Sequence, residues 1–260
     1  MSKEIKLKVP AEQKDIPLHK YQKYAKIVND AEGDLAEDFI RAKILEIFCG
    51  VNLKEAYELP LKELDGVVTH VLGLMAEKAK LQRRFTMTDP NGDTVEFGFM
   101  PNMDEMSLGE YIDLEKYISN WDTMHKAMSV LYRPIVVGKG EFYDIEPYKG
   151  SDKYSDIMKD SPVTVALGAM VFFLRFRERI VENYEALFGS GGSGESQVGI
   201  GQSFGVKWGW YQSVYALAGG DVRKFEEVTG LGVHQCLMWL EFEKEKNELE
   251  AERIKKAYKQ

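Results

Sequence analysis

Between stretches of helical periodicity lies one segment, RRFTMTDPNGDTVEFGF at 83–99, where apolar residues recur at every second position. Phe85 and Met87 lie in the first arm and Val95, Phe97 and Phe99 in the second, with Asp89-Pro90-Asn91-Gly92 between them. Proline supplies a fixed φ and Asn-Gly supplies positive-φ positions, so the segment predicts an antiparallel hairpin near 85–99. The rest of the chain reads mostly as helix. The expected fold is therefore α+β, mainly α: a helical body with one small antiparallel β-hairpin and a charged C-terminal helix.

Before the hairpin, Glu4–Val9 alternates and suggests one short strand. Asp34 is a plausible N-cap for a helix ending at Gly50, with Leu35, Phe39, Ala42 and Cys49 on one apolar face and Ile40, Ile44 and Ile47 on another. Residues 61–79 read as a further amphipathic helix. After the hairpin, Ser107 and Glu110 form a capping-box pattern ahead of LGEYIDLEKYI, and a second helix, WDTMHKAMSVLY, stops near Pro134. A linking segment containing YDIEPYKG follows. The apolar run VTVALGAMVFFL at 163–174 is 12 residues long, short of the roughly 17–25 needed to span a membrane. It predicts a buried helix, with Ser161 as N-cap, Pro162 at the first position and Gly189 as its stop.

The expected organisation is a body over 1–188, a flexible Gly/Ser loop over 189–204 and a C-terminal helical segment over 205–260. The final helix, from about Leu231, begins apolar and ends densely charged, with favourable pairs Glu243–Lys246 and Glu252–Lys256. A net charge of −8 over 260 residues argues against a general nucleic-acid binder, which needs a basic face. The N-terminus has no hydrophobic signal core, and the two cysteines, Cys49 and Cys236, suit small core positions in a reducing cytoplasm.

Motifs for chemistry are weak. GSGGSG at 189–194 matches the dinucleotide-binding glycine pattern by letters, but it follows a helix where a strand is required. DPNGDTVE spaces Asp89, Asn91 and Asp93 like a calcium loop, yet Gly92 falls too early for that loop's turn. His19, His70, His125 and His234 share no metal-ligand spacing. Glu110, Asp113 and Glu115 crowd one short helix and read as a solvated or partner-binding face rather than an acid–base pair. Trp208, Trp210, Tyr211 and Tyr215 lie close together with only Lys207 as a basic neighbour, which favours core or interface packing over base stacking. No catalytic, cofactor-binding or metal-binding residue is assigned.

Taken in order, FTMTDPNGDTVEFGF, GEYIDLEKY, a helix ending LYRP, YDIEPYKG and ALGAMVFF resemble a group of tailed-bacteriophage proteins, often from phages of Bacteroidetes or marine hosts. The resemblance covers 85–176. Such proteins are taken to be tail assembly chaperones or related assembly factors, and CLMWLEFEKEKNELEAERIKK is similar to the hydrophobic-then-charged ends of those chaperones. The N-terminal helical region and the Gly/Ser loop have no counterpart in a short chaperone. The resemblance implies a non-enzymatic factor in the host cytoplasm that holds a tail protein, such as the tape-measure protein, soluble until assembly. The alternative it implies is a structural neck or tail component retained in the virion. Partner contacts are expected from Leu108, Ile112, Leu114 and Ile118, with Glu110, Asp113 and Glu115 setting selectivity, and from Leu249 and Ile254 on the last helix. Neither a nucleic acid nor a membrane is an expected partner; a homo-oligomer is compatible with this pattern.

Overall fold

A computed structural model describes residues 6–30, 37–58, 61–139, 142–188 and 208–258. The fold is α+β and mainly helical, with a four-stranded antiparallel sheet of order β1-β2-β3-β4. The elements are α1 (Leu18–Asp30), α2 (Glu37–Ile44), α3 (Leu53–Ala56), α4 (Leu61–Ala76), β1 (Arg84–Thr88), β2 (Thr94–Phe99), α5 (Leu108–Tyr117), α6 (Met124–Leu131), β3 (Tyr132–Lys139), β4 (Phe142–Ile145), α7 (Asp152–Met158), α8 (Val163–Asn183), α9 (Glu185–Phe188), α10 (Trp210–Leu217), α11 (Phe225–Thr229) and α12 (Val233–Ala257). They form two compact units, one of residues 1–101 and 116–172, the other of 102–115 and 173–260.

The first unit has a helical part and a sheet. α2 continues as a π-helical turn, Leu45–Cys49, closed by Gly50 in the left-handed region at φ 71°. Ile44, Leu45, Phe48, Val68, Val71 and Val163 are among the buried side chains of its core cluster. The start of α8 is tied to the start of α1 by a short bridge: Leu18 N donates to Ser161 O at 2.8 Å and Val163 N donates to Ile16 O at 2.8 Å. A backbone carbonyl thus satisfies the buried amide of Val163, one of the first-turn donors that have no partner within the helix. The Ser161 hydroxyl donates to Met158 O. The apolar run of α8 is not buried all round, because Val171 and Leu174 are exposed.

The hairpin forms as its turn residues dictate, with Phe85 opposite Phe97. Gly92 takes φ 91°, and Asp89 Oδ1 accepts from the amides of Asn91 (2.9 Å) and Asp93 (2.8 Å). Asp89 is therefore a turn-forming acid. Two strands extend the hairpin beyond the sequence expectation: α6 runs directly into β3, which pairs with β2 and then with β4. Phe85 stacks on Phe97 at 5.6 Å, and Tyr132 meets Phe85 and Phe99 edge-on at 5.1 and 5.2 Å. Gly98 is required here, since a Cβ would lie 2.4 Å from Cε2 of Tyr143, whose hydroxyl donates to Phe99 O at 2.8 Å.

Of the expected N-terminal strand, residues 6–9 take no regular structure and Glu4 and Ile5 lie outside the described residues. Asp34, Gly189 and the whole Gly/Ser loop are also outside them. The helix expected over 61–79 ends at Ala76.

The second unit is built from segments distant in sequence. Ser107 pairs with Gly232 in an isolated bridge; Leu108 N donates to Leu231 O at 2.8 Å and Val233 N donates to Met106 O at 2.9 Å. Met106, Leu108, Tyr111, Leu114, Phe173, Phe176, Ile180, Val233, Cys236 and Leu237 are buried. Tyr111 lies within 6.2 Å of the Phe173 ring and meets Trp210 edge-on at 5.5 Å. Burial, with Glu115 nearby, pushes the Tyr111 hydroxyl well above its ordinary pKa. Cys49 and Cys236 are both free thiols, buried in separate units, and burial raises both.

Candidate partner-binding surface

The structure separates the nine residues that the sequence offers as partner contacts. Leu108 is 0% exposed and belongs to the interior of the second unit. Leu114 and Ile118 are buried in the same way, each within its own unit. Glu110 is also buried and is engaged in the capping box: its Oε2 accepts from Ser107 N and Ser107 Oγ, each at 2.8 Å, while its own amide donates to Ser107 Oγ at 3.2 Å. Leu108 and Glu110 therefore present nothing to a partner in this conformation, which corrects the expectation for that helix face. Ile112 and Asp113 are half-buried. Glu115 lies 2.7 Å from Arg177 Nε, an ion pair rather than an aligned hydrogen bond.

Leu249 and Ile254 are different: they are 50% and 57% exposed, on α12. This helix has 25 residues and its first turns are anchored by Val233, Cys236 and Leu237. From Glu245 to Tyr258 every position is exposed. Exposed apolar side chains begin earlier, with Met238 at 64%, Trp239 and then Phe242 at 61%. Sequence reasoning missed these three because they directly continue the apolar start of the helix. Their spacing relative to Val233, Cys236 and Leu237 places Met238 and Phe242 on the opposite side of the helix. The expected pairs form, with Lys246–Glu243 at 3.2 Å and Lys256–Glu252 at 3.8 Å.

A second exposed feature lies on α10. The aromatic cluster divides, with Trp210 turned toward Tyr111 while Trp208, Tyr211 and Tyr215 are exposed. Together with Gln212 these three line an open groove of about 420 Å³. Trp208 and Tyr211 are 5.5 Å apart, and Tyr211 is supported edge-on by Phe225 at 5.3 Å.

One polar cluster has the parts of an acid–base relay. The Tyr184 hydroxyl lies 3.0 Å from His234 Nδ1, and His234 Nε2 lies 3.4 Å from Asp104, which Arg179 also approaches at 3.6 Å. Burial and then Glu241 raise the Tyr184 hydroxyl's pKa, the opposite of what an attacking oxygen needs. The cluster instead ties the segment before α5 to the first turn of α12. In the first unit, His125 is lowered by burial and by Lys159 and Lys126, and it sits 3.0 Å from Gln22 Nε2. Among the described residues, no group of three or more His, Cys, Asp or Glu side chains gathers to hold a metal, and no helix is long and apolar enough to cross a membrane. Comparison with family models, curated proteins and solved structures finds no match.

Proposed function

We propose that the chain is a non-enzymatic binding factor that shields an apolar, helical partner, acting in phage tail assembly as a chaperone for a tail protein. One observation carries the binding part of this reading: the last thirteen positions of α12 are all exposed, and the helix bears a line of large apolar side chains that begins before them. Covering a Phe, Leu or Met side chain contributes about 1.5–3 kcal/mol before ordering costs are subtracted, so a few such residues favour a partner over water. The aromatic groove on α10 adds a second apolar surface in the same unit. The phage assignment rests on the sequence resemblance over 85–176.

Quantitative mass spectrometry of infected-cell lysate beside purified particles tests it. A chaperone is abundant in the lysate and missing from the particles. A fixed copy number per particle would overturn the chaperone assignment and make the chain a neck or tail component.

A further inference from the structure

We infer that the exposed face of α12 takes a basic amphipathic helix from another protein, rather than a second copy of this chain. The inference deepens the proposed binding role by giving the partner's chemistry. Met238, Phe242 and Leu249 fall at i, i+4 and i+11, so they line one side of the helix, away from the anchoring Val233, Cys236 and Leu237. Glu241, Glu245, Glu248 and Glu252 fall at i, i+4, i+7 and i+11 and form a continuous acidic row along one edge of that stripe. On the other edge stand Lys246 and Arg253, seven residues apart, and Lys256 extends the stripe toward its end. Lys256 is held loosely by Glu252 at 3.8 Å, an exposed pair that contributes little.

Self-pairing conflicts with this arrangement in both directions. In a parallel pair the residues of the seam meet their own copies, and the spacing that puts Met238, Phe242 and Leu249 in the seam also puts Glu245 and Glu252 there. Each of these glutamates would face itself, although Glu241 and Glu248 on one flank would meet Lys246 and Arg253 on the other. In an antiparallel pair, the two acidic rows come together on one side and the two basic edges on the other. Either alignment sets like charges against each other, which disfavours the assembly. A helix with an apolar stripe and lysines or arginines beside it meets the glutamate row with opposite charge and covers Met238, Phe242 and Leu249 at the same time.

Two synthetic helical peptides test this, identical in their leucine stripe and differing only in flanking residues, lysine in one and glutamate in the other. Each is titrated with the full chain by fluorescence anisotropy. The lysine peptide is expected to bind at least about tenfold more tightly, with the advantage shrinking as salt is raised. Glu245→Lys, Glu248→Lys and Glu252→Lys together should reverse the preference, and Phe242→Asp with Leu249→Asp should remove binding of both peptides. All five positions are exposed, and circular dichroism melting confirms that each variant stays folded. Equal binding of the two peptides, no binding of either, or an unchanged preference in the triple lysine variant would each overturn the inference. So would self-association in sedimentation that Phe242→Asp abolishes. These outcomes are separate from the particle measurement: a virion component can still select a basic helix, and a chaperone can fail to.

Discussion

Two helices of the second unit carry similar residues and use them in opposite ways. The start of α5 mixes Leu108, Ile112 and Leu114 with Glu110, Asp113 and Glu115, and α12 mixes Phe242, Leu249 and Ile254 with its own glutamates. In α5 the leucines are buried and Glu110 closes the helix's own N-terminus. In α12 the apolar residues stand in solvent beyond the first turns. An amphipathic pattern thus identifies a face that needs covering without saying whether the chain itself or a partner covers it. Here the difference lies in what surrounds each helix: α5 is stitched to Leu231 and ringed by Phe173, Phe176 and Trp210 through Tyr111, whereas α12 outruns its supports after Lys244, whose ammonium donates to Ala186 O.

Hydrogen exchange should show the largest contrast. Amides of Glu245–Tyr258 are expected to exchange nearly as in free helix, while those of Tyr111–Leu114 are protected by a further factor of ~10³ or more. Comparable protection in both helices would mean that α12 is held along its length after all. Next in size, Leu108→Ala should cost about 2–5 kcal/mol in denaturant unfolding, against less than about 0.5 kcal/mol for Leu249→Ala. Glu110→Ala should cost about 1 kcal/mol through loss of the capping box, and Glu110→Gln, which keeps an acceptor at the same place, should recover most of it. Smallest of all, removing residues 245–260 should leave the melting temperature within a few degrees while abolishing binding of the basic peptide. If the truncated chain still binds that peptide, the surface lies elsewhere, with the α10 groove as the next place to look.

The sequence made the hairpin legible because Pro90, Asn91 and Gly92 each narrow the backbone choices. It hid β3 and β4 for equally physical reasons. α6 passes into β3 between Leu131 and Tyr132 with no glycine or loop to mark the change, so the helical pattern of the sequence runs on into Tyr132. Pro134 ordinarily argues against a paired strand; here it sits opposite Phe97 and offers its carbonyl to Glu146 N at 2.9 Å. Val136, Val137 and Phe142 are exposed, so the alternation that marks a half-buried strand is blurred. The capping box at Ser107 was readable from two letters, since it depends only on local geometry. The burial of Leu108 was not, because its backbone partner, Leu231, lies more than a hundred residues along the chain.

That long-range stitch bears on how the chain emerges from a ribosome. The bridge between Ser107 and Gly232 joins points about 125 residues apart, and at roughly 5–20 residues per second synthesis takes about 6–25 s to span them. Throughout that interval Leu108, Tyr111 and Leu114 have been made but lack the strand-like edge at Leu231–Val233 that completes their enclosure. The second unit therefore closes only after residues 231–233 have been made, seconds after the α5 segment that they enclose.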